Sequence, residues 1–329
     1  MKSAVPIIEV CNLVKRFDEV TAVESLTFDI LEGELFGFLG PNGAGKTTTI
    51  NMLTGLARPD SGTIRIAGID CSSIPKAAQH LLGVVPDESN LYPELSGFDN
   101  LCFCGALYGL RKGERQARAW KLLERFGLSE AADRKFAGYS RGMKRKLTIA
   151  AGIIHGPRIL FLDEPTTGID VASARQIRQL IADLNIGGTT VFLTTHYIEE
   201  AERLCRRIAF IVSGRLVRID TLDNLMRPTA GRHVVQFDVG EGAEALCEAI
   251  AGVFDHVQCR AVAKGALLVE ACEPVRIGPM VRFIEERGAE VSEARKLRPS
   301  LEEVFVGITG IAAAAMQEER EKRGKEGGE

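Results

Sequence analysis

"GPNGAGKTT", Gly40 to Thr48, follows the short apolar run Leu35–Leu39 and opens the apolar-periodic stretch "TINMLTGL". Strand, glycine loop and helix in that order are what a phosphate cradle requires. Gly40, Gly43 and Gly45 let the backbone fold round an anion with its N–H groups turned inward, with Pro41, Asn42 and Ala44 completing the loop. The helix that follows adds the positive end of its dipole. Lys46 is placed to reach the β- and γ-phosphates of a nucleotide, and the Thr47 hydroxyl, with Thr48 beside it, to face a Mg2+ shell. A glycine turn that only reverses the chain has no need of the Lys-Thr pair.

Outward from this loop, short apolar strands alternate with helical segments. "RILFLDEP", "VASARQIRQLIADL", "TTVFLTTH", "IEEAERLC" and "RIAFIVSGRLVRID" read as strand, helix, strand, helix, strand. That alternation predicts an α/β fold with a mostly parallel, doubly wound sheet. Helical spacing from Phe98 to about Phe126 marks a helical insertion, and the helical part is expected over about 88–155. Composition shifts at "MRPTAGRH" (226–233), so residues 1–230 are assigned to the nucleotide-binding domain. Residues 231–310 read βαββαβ, a small α+β ferredoxin-like domain, and 311–329 form a charged tail expected to be disordered. Within "PSLEEVF", Leu301, Val304 and Phe305 make an apolar stripe that must pack on something. The small domain could stabilise a dimer or report on a partner, and we expect dimer support, with the stripe packed on a dimer partner.

The totals narrow the function classes. With 41 basic and 44 acidic residues the net charge is -3, so the overall pull toward nucleic acid or anionic lipid is weak. No apolar run approaches the roughly 18 residues of a membrane span, and the first residues lack a signal-peptide core. A soluble, cytosolic chain is the expectation. The 8 cysteines are scattered, and Cys102 and Cys104 have no second pair with which to hold a metal. They are read as reduced, mostly buried thiols.

Ile159–Leu162 run straight into Asp163 and Glu164. Two carboxylates at the end of a buried strand are costly unless a cation or proton chemistry uses them. Asp163 suits the Mg2+-associated acid of a P-loop enzyme, and Glu164 a general base for the attacking water. His196 closes "TVFLTTH", where it either touches the γ-phosphate or ends a strand. "YSRGMKRKL", Tyr139 to Leu147, places Ser140 as a helix N-cap whose hydroxyl and neighbouring N–H groups can face an anion. Lys144, Arg145 and Lys146 are consecutive and point round that helix, without interleaved aromatics, which argues against a nucleic-acid surface.

Taken together these stretches resemble the nucleotide-binding subunit of ABC transporters, from about Ile7 to Asp220. The matching parts are Phe17 in the place of the adenine-stacking aromatic, the Gly40–Thr47 loop, "YSRGM" as signature, "LFLDEP", "TTGID" with Asp170, and the switch His196. "NLYPELSGFDNL", "SRGMKRKL" and the ending "PSLEEVF" are similar to the drug-resistance-type exporter branch. The resemblance implies an ATPase using ATP and Mg2+. Its fold would be the ABC nucleotide-binding domain with its helical insertion. It implies a homodimer in which Ser140 and Gly142 cap the γ-phosphate held by a second copy's loop, with Lys46, Glu164 and His196 catalytic. It further implies a separate membrane permease, beneath which the subunit sits at the cytoplasmic face, and no nucleic-acid partner. Asp87 departs from the pattern, standing where the family has a Gln that touches Mg2+ and links the site to the permease. It either ligates Mg2+ with Thr47 and Asp163, or slows turnover by its charge, or is a tolerated variant. Two other readings compete: a soluble ABC-type ATPase acting on ribosomes or nucleic acid, and a regulatory ATP-binding module.

Overall fold

In the computed structural model the described residues are 5–74, 76–227, 233–240, 242–262, 265–297 and 300–311. The chain divides into two compact units, one of Met1–Leu222 with Phe305–Glu329, the other Asp223–Val304.

In the larger unit the chain runs β1 (Pro6–Phe17), β2 (Val20–Leu31), β3 (Leu35–Leu39), α1 (Lys46–Leu53), β4 (Ser61–Ile66), β5 (Ile69–Asp70) and β6 (Leu82–Val85). The helical insertion follows as α2 (Gly97–Leu107), α3 (Lys112–Arg125) and α4 (Arg141–Ile153). Then come β7 (Ile159–Asp163), α5 (Val171–Ile186), β8 (Thr190–Thr195), α6 (Ile198–Leu204), β9 (Arg207–Val212) and β10 (Arg215–Thr221).

The sheet that carries the site has the order β10-β9-β3-β8-β7-β6. It is parallel from β9 to β6, with β10 antiparallel at its edge. Every residue of β3, β7 and β8 is buried, as expected of strands covered on both faces. Phe28, Phe36, Phe38, Phe161 and Phe192 pack beneath the loop with ring centroids 5.3 to 6.3 Å apart. A second, antiparallel sheet, β2-β1-β4-β5, stands beside the parallel one. It was not separable in the sequence, because its pairings, such as Ile8 with both Ile30 and Ile66, join distant segments.

The smaller unit contains β11 (His233–Asp238), α8 (Ala243–Val253), β12 (Val257–Val262), β13 (Ala266–Ala271), α9 (Ile277–Glu285) and β14 (Glu293–Leu297), after the short α7 (Leu222–Leu225) at the junction. Its all-antiparallel sheet has the order β12-β13-β11-β14, the ferredoxin-like arrangement of a βαββαβ chain. Phe237, Ile250, Leu267, Val269 and Ile284 form its core. Here the reading of all cysteines as reduced thiols is corrected, since Cys247 of α8 and Cys259 of β12 form a disulfide. Nor are the remaining thiols mostly buried: Cys11 and Cys272 are exposed, and Cys102 and Cys104 half-buried.

The last helix, α10 (Leu301–Thr309), buries Leu301, Val304 and Phe305 within the chain itself. The Phe305 ring meets Phe210 of β9 edge-on at 5.3 Å. The stripe is therefore already covered, and the reason for expecting a dimer partner on it falls away. The charged tail lies outside the described residues, as do residues 228–232 of the "MRPTAGRH" stretch.

Candidate nucleotide site

The Gly40–Gly45 loop leaves β3 at the carboxyl end of the parallel sheet, where open α/β sheets bind ligands. Two of its glycines are required by space. A Cβ at Gly40 would stand 2.2 Å from the Ile211 carbonyl oxygen, and one at Gly45, whose φ is 101°, 2.4 Å from that of Ala22. Gly45 opens α1 with no side-chain cap and no acid in the first turn, so the helix N-terminus keeps its attraction for an anion. Asn42 Nδ2 is sealed from solvent without a hydrogen bond among the described residues, an orphan donor that suits an anionic ligand. Thr48 is half-buried in the first turn of α1.

Lys46 is buried, and its ammonium donates to the carbonyls of Gly40 at 2.8 Å and Pro41 at 3.1 Å. It also lies 3.2 Å from Glu164 Oε1. The Thr47 hydroxyl donates to Asp163 Oδ2 at 2.8 Å, while Asp163 Oδ1 accepts from Thr194. Thr47 and Asp163, 116 residues apart in sequence, thus present their oxygens together, a donor set suited to Mg2+.

Glu164 sits just past the end of β7 with φ at 50°, in the left-handed region. Its Oε2 is 2.7 Å from His196 Nδ1 and accepts from the Thr167 hydroxyl at 3.1 Å. Burial alone would push this carboxyl up, but the His196 hydrogen bond and the Lys46 ammonium outweigh it and hold Glu164 below its ordinary range. The Glu164 carboxylate is therefore ionised at neutral pH and oriented by His196 and Thr167.

The other expected residues are distributed differently. Ser140 caps α4, its Oγ accepting from Met143 N at 3.3 Å, and it is exposed. Gly142 packs against α5: a Cβ there would meet Ser173 Oγ at 2.5 Å. Asp170 caps α5 by accepting from Ser173 N at 2.9 Å, and these backbone bonds hold its carboxyl low. Among the described residues no hydrogen bond or ion pair joins Ser140 or Gly142 to the Gly40–Thr48 loop. Phe17 ends β1 with its ring half exposed and Lys15 Nζ 5.1 Å from its centroid. Asp87 lies in the loop after β6, half-buried, with its charge facing the guanidinium of Arg145.

Arg145 is the residue that sequence reasoning passed over. Its two basic neighbours behave as surface groups, Lys144 over the Phe136 ring and Lys146 reaching Gln176. Arg145 instead turns inward and donates to the carbonyls of Asp163 at 2.6 Å, Pro165 at 2.9 Å, Asp87 at 3.1 Å and Pro86. It binds the signature helix to the end of β7 and to the loop after β6. The signal was its place on the inner face of α4, three residues past Gly142 and four before Ile149.

A family model described as ABC transporter matches residues 23–167. The chain is 38% identical to the linearmycin resistance ATP-binding protein LnrL of Bacillus subtilis, over 91% of this chain and 97% of that protein. It is 37% identical to the daunorubicin/doxorubicin resistance ATP-binding protein DrrA of Streptomyces peucetius, over 93% of each chain. It is 36% identical to the Nod factor export ATP-binding protein I of Paraburkholderia xenovorans, over 92% of this chain and 97% of that one. Among solved structures, an ATP-binding subunit of an ABC transporter is similar at TM-score 0.61 and 30% identity, covering 67% of this chain and 92% of its own. A dimeric ATP-binding cassette in a post-hydrolysis state with ADP and Pi gives 0.60 and 27%, covering 65% and 98%.

Proposed function

We propose, for a chain that belongs to the family of ABC transporter ATP-binding subunits, that it binds MgATP at the interface of a homodimer and drives a separate membrane permease in export. The chain is an ATPase of that family. The observation that carries the site assignment is the cluster in which Thr47 meets Asp163 while Lys46 and His196 both touch Glu164. Mg2+, held by Thr47, Asp163 and Asp87, would neutralise charge on the β- and γ-phosphates. Lys46 is drawn from its loop carbonyls to the phosphates, Glu164 accepts the proton of the attacking water, and His196 fixes the orientation of that carboxylate. Phe17 offers an aromatic face for the base. Ser140 and Gly142 supply the cap for the γ-phosphate held by a second copy.

Export through a partner is supported by the relatives, whose names describe resistance to linearmycin or daunorubicin and export of Nod factor. Among the described residues no helix is long and apolar enough to cross a membrane. We assign the spanning path to a separate permease, with this subunit at its cytoplasmic face. Action on ribosomes or nucleic acid is not favoured by these relatives. We assign the small unit an accessory role.

The test is Glu164→Gln, which keeps shape and removes proton acceptance. ATP hydrolysis by the purified protein is expected to fall by ~10² or more with ATP still bound. Unchanged turnover would overturn the assignment.

A further inference from the structure

Glu200, on α6, is a carboxyl that the proposed hydrolysis does not use, yet it is 2% exposed. Its Oε1 accepts from the Thr166 hydroxyl at 2.8 Å, and its Oε2 is sealed from solvent without a hydrogen-bond partner among the described residues. Thr166 lies in the turn directly behind Glu164, and its neighbour Thr167 donates to Glu164 Oε2. Glu200 also sits one helical turn past His196, with its N–H bonded to the Tyr197 carbonyl at 3.2 Å. The contacts close a ring: Glu164 to His196, along the chain to Glu200, across to Thr166, and back along the chain to Glu164.

We propose that Glu200 is a positioning residue for hydrolysis, bracing the turn behind Glu164 against the helix that follows His196 so that base and histidine keep their geometry. This rests on the reading of Glu164 as the base. A bare carboxylate buried beside Glu164 is costly, and a neutral acid in the same place costs less. Burial pushes the Glu200 carboxyl above its ordinary range, the Glu164 charge adding to it, against hydrogen bonds from Thr195 and Thr166 and the more distant Arg178. Arg145 and Cys205 also lie within its field. Glu200 acts through its hydrogen bond to Thr166, and its surroundings favour the protonated form, whose hydrogen bonding glutamine reproduces and alanine does not.

Steady-state hydrolysis by Glu200→Gln, Glu200→Ala, Thr166→Val and the Glu200→Ala/Thr166→Val double variant tests the brace, with Glu164→Gln measured alongside. The expected result is a kcat ~10-fold lower for Glu200→Ala and for Thr166→Val, with KM for ATP within ~2-fold of wild type. The double variant should lose no more than the worse single, because both changes cut one contact. Glu200→Gln should stay within ~3-fold of wild type. A Glu200→Gln as impaired as Glu200→Ala overturns the proposal, as does a KM that rises in step with the fall in kcat, or losses that multiply in the double. If Glu200→Ala does not fold, Glu200→Gln and Thr166→Val still decide it. Full turnover by Glu164→Gln would instead sink the underlying assignment of the base, whatever Glu200 does.

Discussion

The guanidinium of Arg145 donates to the backbone carbonyl of Asp163 at 2.6 Å, from a helix whose N-cap is Ser140. The segment proposed to face a second copy is thus fastened, inside one chain, to the strand end proposed to serve Mg2+. Replacing Arg145 by Gln strips donors from the carbonyls of Asp163, Pro165, Asp87 and Pro86 in a buried setting. A loss of about 3 kcal/mol in unfolding free energy is expected, read by chemical denaturation. Lysine, with a point charge in place of a planar fork, should recover less than half of it. An Arg145→Lys chain as stable as wild type would contradict this.

Asp87 stands where the family pattern has glutamine. If its carboxylate joins Thr47 and Asp163 as an oxygen donor, Asp87→Gln removes a charge from the Mg2+ shell. The Mg2+ concentration for half-maximal hydrolysis should then rise about tenfold. A variant with an unchanged Mg2+ requirement would take Asp87 out of the shell.

Phe305 is fully buried against Phe210. Phe305→Ala should cost about 3–5 kcal/mol, measured by equilibrium unfolding. A change below about 1 kcal/mol would mean that the helix is not held by this contact.

What the sequence disclosed and what it hid divide along physical lines. The Gly40–Thr48 cradle, Asp163 and Glu164 stood out because short-range spacing marks them, and the fold brings Thr47 to Asp163 and Lys46 to Glu164. Arg145 was hidden because three consecutive basic residues look like a solvated helix surface until the helix is docked. The stripe of Leu301, Val304 and Phe305 declared that it would be buried, but the expected dimer partner was wrong, since Phe305 packs on Phe210, far back in the chain. The Cys247–Cys259 pairing depends on α8 lying against β12, which composition does not encode. Glu200 gave no motif; its burial beside Thr166 emerges only when the turn after β7 meets α6.

The Glu200 carboxyl also predicts a pH effect on stability. Its folded-state value is raised above the ordinary 4.5, so the folded chain keeps a proton that the unfolded chain has released. This contribution is favourable to folding at low pH and is lost as pH rises from about 4.5 toward the folded value. Glu200→Gln has no proton to lose. The stability of the variant relative to wild type should therefore increase as pH rises above about 4.5, measured by urea midpoints. Parallel curves would show that Glu200 does not titrate in this way.

Each ATP site is proposed to be built from the phosphate loop of one chain and the signature segment of another. Lys46→Ala damages the loop, and Ser140→Arg blocks the signature with a bulky cation, so either homodimer has two defective sites. In a mixed dimer both lesions fall on one site, leaving the other with an intact loop and an intact signature. With Glu164→Gln in both chains to prevent hydrolysis, the measurement is nucleotide retained by purified mixed dimers. Retention approaching one ATP per dimer is expected, against little for either parent. Mixed dimers that hold no more ATP than their parents would contradict it.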